Sequence, residues 1–327
     1  MSKNYKIGIV IPSFRVKDKI LNVLEEIDED INNIYVVDDK CPENSGKYVE
    51  ENCKDPRVKV LYNPINLGVG GAVKTGYKRA LEDQCDIIVK VDGDGQMSPK
   101  LIKGLISPIL MAEADYVKGN RFYNIEDVKT MPGIRLFGNS VLSLINKMVN
   151  GYWNIVDPTN GFTAIHRQAL SLLPLEKIHN RYFFESDMLF RLATIRAVVR
   201  DFPMKAVYAD EKSSLKIQKI IFEFLFRYFI SFHKRIFYLY ILRDFNAGTI
   251  QLFLGIIFTL FGFIFGAVNW YYSLKQGLPA TSGTVMLASL PLILGVQFLI
   301  SSLNFDLQNV PERPILKDFI YDDPTTM

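Results

Sequence analysis

Across residues 1–210, short apolar runs rich in β-branched residues alternate with longer stretches whose apolar positions recur every three or four residues. The first kind marks buried strands and the second amphipathic helices. Ile7 to Ile11 reads as a strand and Lys17 to Ile27 as a helix. Ile34 to Val37, Val58 to Leu61 and Ile87 to Val91 read as further strands, with Gly71 to Leu81 as a helix between the last two. Strands recurring with helices between them predict a mostly parallel α/β sheet. In such sheets ligands sit beyond the carboxyl ends of the strands. Two of these strands end in carboxylates, Asp38–Asp39 and Asp92, so the site is expected there.

After residue 210 the pattern changes. Lys212, Lys216, Lys219, Arg227, Lys234, Arg235 and Arg243 are interleaved with Ile220, Phe222, Phe224, Leu225, Phe226 and Phe229. That mixture fits helices lying in a membrane interface, or a core helix with a charged face. Proximity to a long apolar segment favours the interface. No Lys, Arg, Asp or Glu occurs at 245–274 or at 276–305, 30 residues each. Since roughly 20 apolar residues cross a bilayer core, spans near 249–272 and 284–304 are predicted. A short turn around Lys275–Ser282 makes them a transmembrane hairpin. Gly262 and Gly266 have the small-xxx-small spacing of close helix contact, and Pro291 is tolerated in a membrane helix.

The basic excess precedes the first span, so the positive-inside rule places the N-terminal part in the cytoplasm, and two crossings return the tail there. The chain therefore divides into an α/β domain (1–210), amphipathic juxtamembrane helices (211–243), a transmembrane hairpin (244–305) and a cytoplasmic tail (306–327). It reads as an integral protein of the cell membrane, or of the ER membrane in a eukaryote. Lipid or a second copy of the chain would cover the outer faces of the hairpin.

Composition removes other classes. Hydrophobic residues make up 49% of the 327, which excludes disorder, and a net charge of +3 is too small for a nucleic-acid binder. Three cysteines without a Cys-x-x-Cys pair form no disulfide framework, and three scattered histidines form no zinc cluster. Met1 to Val10 runs into the first strand without the h-region and cleavage site of a signal peptide.

The strongest local signal is Val89-Lys90-Val91-Asp92-Gly93-Asp94-Gly95-Gln96. A strand delivers two carboxylates into a glycine-flanked turn, hard oxygen ligands of the kind that join Mg²⁺ or Mn²⁺ to substrate phosphates. The alternative is a solvated acidic turn. An EF-hand is excluded, because Met97, Ser98 and Pro99 break its ligand spacing. The stretch Asn66 to Thr75 is neither a P-loop nor a dinucleotide fingerprint, since Val73 stands where each needs glycine. It reads as a loop entering a helix packed on the sheet, with Lys74 available to an anion.

Six motifs occur in order: Ile9-Val-Ile-Pro12-Ser13-Phe14, Val36-Val37-Asp38-Asp39, Asn66-Leu67-Gly68, Asp92-Gly-Asp94-Gly-Gln96, Gly119-Asn120-Arg121 and Asp157-Pro-Thr-Asn160-Gly161-Phe162. Together they resemble family 2 glycosyltransferases, in the branch of dolichol-phosphate mannose synthases and polyprenyl-phosphate glycosyltransferases. The likeness covers roughly residues 5–215, and the hairpin matches several members of that branch. It implies a GT-A, Rossmann-like catalytic domain, with Pro12, Ser13 and Asp38 on the donor side and Asp38 near the nucleotide base. It also implies that Asp92 and Asp94, with Gln96, hold a divalent Mg or Mn against the donor diphosphate. Arg121 and Arg135 occupy places similar to arginines that bind the acceptor phosphate; the alternative for each is a surface salt bridge. Asp157 lies in an element resembling the acceptor-side acid, or it N-caps the turn at Pro158. Lys216 either neutralises phosphates or faces the membrane.

Two departures from the family stand out. Ser13-Phe14-Arg15 replaces the common Tyr-Asn-Glu, leaving the base open, and Asp39-Lys40-Cys41 replaces Asp-Gly-Ser. The Gln-x-x-Arg-Trp motif of processive synthases is missing, which disfavours polymerisation. The expected reaction is one sugar transfer from a nucleoside-diphosphate sugar to a polyprenyl phosphate (undecaprenyl or dolichyl) at the cytoplasmic face. The resemblance suggests inversion, with Asp94, Arg121 and Asp157 at the reacting centre. Two alternatives are a transferase acting on a lipid-linked saccharide or diacylglycerol, with Asp157 as base, and a silent nucleotide-sugar-binding scaffold.

Overall fold

The computed structural model describes residues 5–124, 133–205 and 217–320, without the side chains of 134, 135, 217–222 and 320. Lys216 lies outside the described residues, and Arg135 is placed by its backbone alone. The chain forms two compact units, Met1–Phe232 with Pro311–Met327, and His233–Val310.

The first unit is built on a seven-stranded sheet of order β3-β2-β1-β4-β6-β5-β7. Its strands are β1 (Ile7–Ser13), β2 (Asn33–Asp38), β3 (Val58–Tyr62), β4 (Ile87–Lys90), β5 (Tyr116–Asn120), β6 (Thr163–His166) and β7 (Val199–Pro203). Helices α1 (Lys17–Glu25), α2 (Ser45–Asn52), α3 (Val69–Glu82) and α4 (Ile102–Leu110) are interleaved with the first five strands. β1 pairs in parallel with β2 and β4, and β2 with β3, while β6 runs antiparallel to β4 and β5. The predicted strands hold, each continuing one or two residues further in most cases, and the fold class is the α/β one expected. β1 connects outward to β2 and β3 on one side, and β4 lies on its other side. Strand order thus reverses between β1 and β4, the topological switch point where open α/β sheets bind ligands. The core beneath is aliphatic, with Ile9, Ile11, Val36, Val89, Leu105 and Ala164 buried on the strands and on α4.

Further helices of this unit are α5 (Gly133–Asn150), α6 (Arg167–Ser171) and α7 (Phe184–Thr194), followed by α8 (Ile217–Ile236). α8 carries both faces weighed in the sequence. One packs into the unit, with Tyr228 buried against Val149 and Phe183 and its hydroxyl accepting from Asn146 Nδ2 at 2.7 Å. The other exposes Leu225, Phe226 and Phe229. α5 exposes a second apolar stripe, Phe137, Val141, Leu144 and Met148, spaced to lie along one face. The amphipathic character assigned to 211–243 therefore extends to α5, and the compact unit runs to Phe232 instead of ending at 210.

The segment expected as a separate tail also differs. Its helix α11 follows the hairpin at Leu316–Ile320 and returns to the sheet. Leu316 is buried in the main core, and the Asp115 carboxylate accepts from the backbone N–H of Leu316 and Ile315, both at 3.0 Å, and of Val198 at 2.8 Å.

The second unit contains α9 (Ala247–Gln276) and α10 (Ser282–Gln308), of 30 and 27 residues and mean hydropathy 2.2 and 2.0. Both are long enough for a bilayer core. They pack through small residues seven apart, Gly248, Gly255 and Gly262 on α9 and Ala288, Gly295 and Ser302 on α10. A Cβ on Gly262 would lie 2.7 Å from Leu292 N, and one on Gly255 3.0 Å from Leu299 N. A Cβ on Gly266 would meet only Ala288 Cβ at 3.3 Å. The packing period is therefore seven, the left-handed hairpin spacing, in place of the predicted four-residue step. At the base of this unit Arg235 donates to Asp306 at 2.7 and 3.1 Å, and the Tyr240 hydroxyl donates to the same carboxylate at 2.6 Å.

Candidate active site

The carboxyl ends of β1 and β4 open onto a cavity of 390 Å³. Its walls include Pro12 and Ser13 from β1, Asp39 after β2, Asp92 and Asp94 after β4, and Arg181 and Tyr182 before α7. The two halves of the Asp-x-Asp motif, Pro12 and Ser13 are thus brought together as the sequence suggested. Gln96 is not on these walls; its backbone N–H donates to Asp94 Oδ1 at 3.0 Å, and its side chain lines neighbouring cavities.

Beneath Asp92 lies a cation that the sequence reading passed over. Lys90, 1% exposed, holds Asp92 Oδ1 at 2.9 Å and Glu185 Oε1 at 3.2 Å. Burial lowers its pKa, but Asp92 and Glu185 more than offset this, keeping the ammonium charged well above the usual lysine range. Lys90 belongs to a polar row across four adjacent strands, since register pairs Lys90 with Thr163, Thr163 with Lys118 and Lys118 with Asp201. Residues paired across a sheet share a face. Lys118 donates to the Asn160 carbonyl, and burial lowers its pKa to about 8. Burial raises Asp201 to about 6, against the Val156 N–H that it accepts at 2.9 Å.

The Asp157-Pro-Thr-Asn160-Gly161-Phe162 turn closes over this row. Asp157, fully buried, receives Arg121 Nε at 2.7 Å on one oxygen and a terminal Arg121 nitrogen at 3.0 Å on the other. The two motifs thus meet in a bidentate ion pair, a salt bridge of the kind weighed for Arg121 but made to a buried partner. With both oxygens on Arg121, Asp157 orients the guanidinium. Arg121 itself remains partly exposed.

Two donor-side expectations change. Asp38 is buried and accepts from Cys41 N and Gly46 N, both at 2.7 Å, so it shapes the turn after β2. The cavity carboxylate is its neighbour Asp39, which also accepts from Leu67 N at 2.9 Å and Gly68 N at 2.6 Å. Lys74, expected to meet an anion, is buried and donates to the Ile178 carbonyl at 2.8 Å. Ser13 Oγ donates to Ser45 Oγ at 2.8 Å.

Asp92 and Asp94 can hold a divalent metal. Two hard carboxylates, one fixed by Lys90, face open space large enough for a diphosphate. Among the described residues no group of three or more His, Cys, Asp or Glu gathers. A donor set of two carboxylates suits Mg²⁺ or Mn²⁺, ions that take their remaining ligands from water and substrate phosphate. The residues missed in the sequence were Lys90, Lys118, Glu185 and Arg181. A readable signal existed for the first two: each is a lysine closing an apolar run, Ile-Val-Lys90 and Tyr-Val-Lys118.

Comparison with known proteins follows the same site. The Glycosyl transferase family 2 profile matches residues 8–173. A UDP-N-acetylglucosamine–dolichyl-phosphate N-acetylglucosaminyltransferase of Methanococcus voltae is 31% identical over 218 residues, 62% of this chain and 86% of that protein. An undecaprenyl-phosphate mannosyltransferase of Micrococcus luteus is 27% identical over 61% of this chain and 82% of its own. These relatives bear out the resemblance to the polyprenyl-phosphate branch. Glucosyl-3-phosphoglycerate synthase from Mycobacterium tuberculosis in complex with UDP matches with a TM-score of 0.52 and 16% identity, over 71% of this chain and 80% of that one. A second structure of that synthase, with Mn²⁺, UDP and glucosyl-3-phosphoglycerate, gives 0.51 at 15% identity over the same shares. That likeness shows the shared α/β fold, the GT-A fold expected, and the matched profile spans both motifs that build the cavity floor. The chain belongs to glycosyl transferase family 2 and is a glycosyltransferase.

Proposed function

We propose that this enzyme transfers one sugar from a nucleoside-diphosphate sugar to a polyprenyl phosphate, at the surface of the membrane that its hairpin spans. The observation that carries the reading is the convergence of Asp92 and Asp94 on one cavity at the β1/β4 switch point, in a chain with two helices of bilayer length. The names of the relatives support the acceptor, and the Mn²⁺ and UDP of the structural neighbour support the donor and the ion.

An acceptor phosphate oxygen forms a bond to the anomeric carbon as the bond from that carbon to the donor diphosphate breaks. The departing nucleoside diphosphate keeps the electron pair, and single displacement inverts the carbon. An ionised phosphate needs no general base, which agrees with the occupation of Asp157 by Arg121. A divalent metal, when bound, neutralises charge on the leaving diphosphate. Asp92 and Asp94 hold that ion, with Lys90 fixing Asp92 from below. Arg121, oriented by Asp157, faces the acceptor phosphate; for Arg135 and Lys216 the same role rests on the family resemblance alone. Preorganised charge of this kind is the largest usual source of rate.

Residues 311–320 dock on the unit that precedes the hairpin. An even number of crossings then keeps both on one side, and the basic residues before α9 favour the cytoplasmic side. The apolar stripes of α5 and α8 suit contact with the interface, where a lipid phosphate resides.

A transfer assay in detergent or vesicles tests the reading, using UDP- and GDP-sugars, a polyprenyl phosphate, and Mn²⁺, Mg²⁺ or chelator. The expected result is a metal-dependent lipid-phosphate sugar, lost in Asp94→Ala. Full activity of Asp94→Ala, or donor turnover that ignores the lipid, would refute it.

A further inference from the structure

The sequence reads Gly68-Val-Gly70-Gly71 as a loop entering a helix packed on the sheet, and the structure gives its glycines a further task. A Cβ on Gly70 would lie 2.5 Å from the His179 carbonyl, and one on Gly68 2.8 Å from Arg181 Cγ and 2.9 Å from the Asn180 carbonyl. Gly71 N donates to the Asn180 carbonyl at 2.9 Å, and Lys74 Nζ to the Ile178 carbonyl at 2.8 Å. From the far side His179 N donates to Asp187 Oδ2 at 2.8 Å, and Phe184 N to the Arg181 carbonyl at 2.8 Å. Residues 178–181 are thus clamped on both sides, and only glycine lets the backbones approach so closely.

What the clamp presents is Arg181. It is the one basic residue on the described cavity walls, which also carry Asp39, Asp92 and Asp94. Among the described residues its guanidinium has no ion pair, although its backbone N–H donates to His179 Nδ1 at 3.2 Å. An exposed arginine held at the rim of an acid-lined cavity is poorly matched to its neighbours until an anion enters. A diphosphate between a metal on Asp92 and Asp94 and a guanidinium fork satisfies both sides, and arginine suits phosphate oxygens bidentately.

We propose that Arg181 is the phosphate-binding cation of this cavity, held in place by the Gly68–Gly71 cradle and Lys74. The inference rests on the function proposed above and deepens it. The phosphate belongs to the donor diphosphate or to the lipid acceptor, and the test separates the two.

Full-length protein in detergent is titrated calorimetrically with UDP or GDP plus Mn²⁺, and with the bare nucleoside. A charge-assisted hydrogen bond predicts roughly 10- to 100-fold weaker diphosphate binding in Arg181→Ala, partial recovery in Arg181→Lys, and no change for the nucleoside. Gly70→Ala, which displaces the loop, is expected to weaken diphosphate binding similarly and to add little on top of Arg181→Ala. Unchanged diphosphate binding with a similar rise in KM for polyprenyl phosphate would assign the same contact to the acceptor. Wild-type values in both arms would overturn the role of Arg181. Asp94→Ala is the separate control: if it keeps metal-dependent diphosphate binding, the proposed function fails whatever Arg181 does.

Discussion

Gly161→Ala tests the link between the Asp157–Phe162 turn and the carboxylates proposed to hold the metal. A Cβ at this position would press on Lys90 Nζ and lie 2.5 Å from Asp92 Oδ2, where ordinary contact is 3.4–4 Å. Both atoms are side-chain ends, so relief comes from moving them and not the backbone. Lys90 is nevertheless buried and tied to Glu185, which leaves Asp92 to swing. A carboxylate displaced by about 1 Å from its productive position costs roughly 100-fold in rate, while overpacking of this kind costs about 1–3 kcal/mol of stability. Steady-state kinetics across a Mn²⁺ titration, with thermal unfolding of the same samples, reads both quantities. The expected outcome is a large fall in kcat and a raised metal requirement in a folded enzyme. Gly138→Ala on α5, with nothing within 4 Å of its Cβ, is the comparison. It should keep wild-type rates and gain up to about 1 kcal/mol from helix propensity. Wild-type kcat and metal dependence in Gly161→Ala would refute the placement of that turn on the Lys90–Asp92 pair.

Other consequences are more local. Leu316→Ala removes a buried side chain of the C-terminal segment and is expected to cost about 2–4 kcal/mol and to expose the tail to proteolysis; an unchanged melting temperature and cleavage pattern would count against docking. Asp201 has a folded pKa of about 6, above its unfolded value, so its contribution is full below about pH 4 and is lost as pH rises through 6. Asp201→Asn should therefore gain on wild type by up to about 3 kcal/mol between pH 4 and 7, and parallel stability profiles would contradict the assignment. In the hairpin unit, Arg235→Leu strands the buried Asp306 and should cost about 3–5 kcal/mol in detergent, most of it recovered by adding Asp306→Asn. Additive losses in the double variant would mean that the pair is not coupled.

Periodicity and local chemistry already determined the strands of the α/β sheet, the two long apolar helices and the Asp92-x-Asp94 turn, because each depends on residues close together in the chain. What they could not decide was which distant group each side chain would meet. Lys90 serves Glu185, 95 residues away, and Asp115 receives the backbone of Leu316 across 201 residues. Asp38 and Asp39 are adjacent and chemically identical, yet Asp38 takes the N–H groups of Cys41 and Gly46, while Asp39 takes those of Leu67 and Gly68 and lines the cavity. Gly68 and Gly70 carry no side chain whose pattern could announce a partner; their purpose lies in the loop that packs on them. The sequence alone thus settled the strands of the sheet and singled out the two acids proposed to hold a metal, both local properties. Tertiary packing decided burial and countercharge, and with them which carboxylates and cations stay available to a substrate.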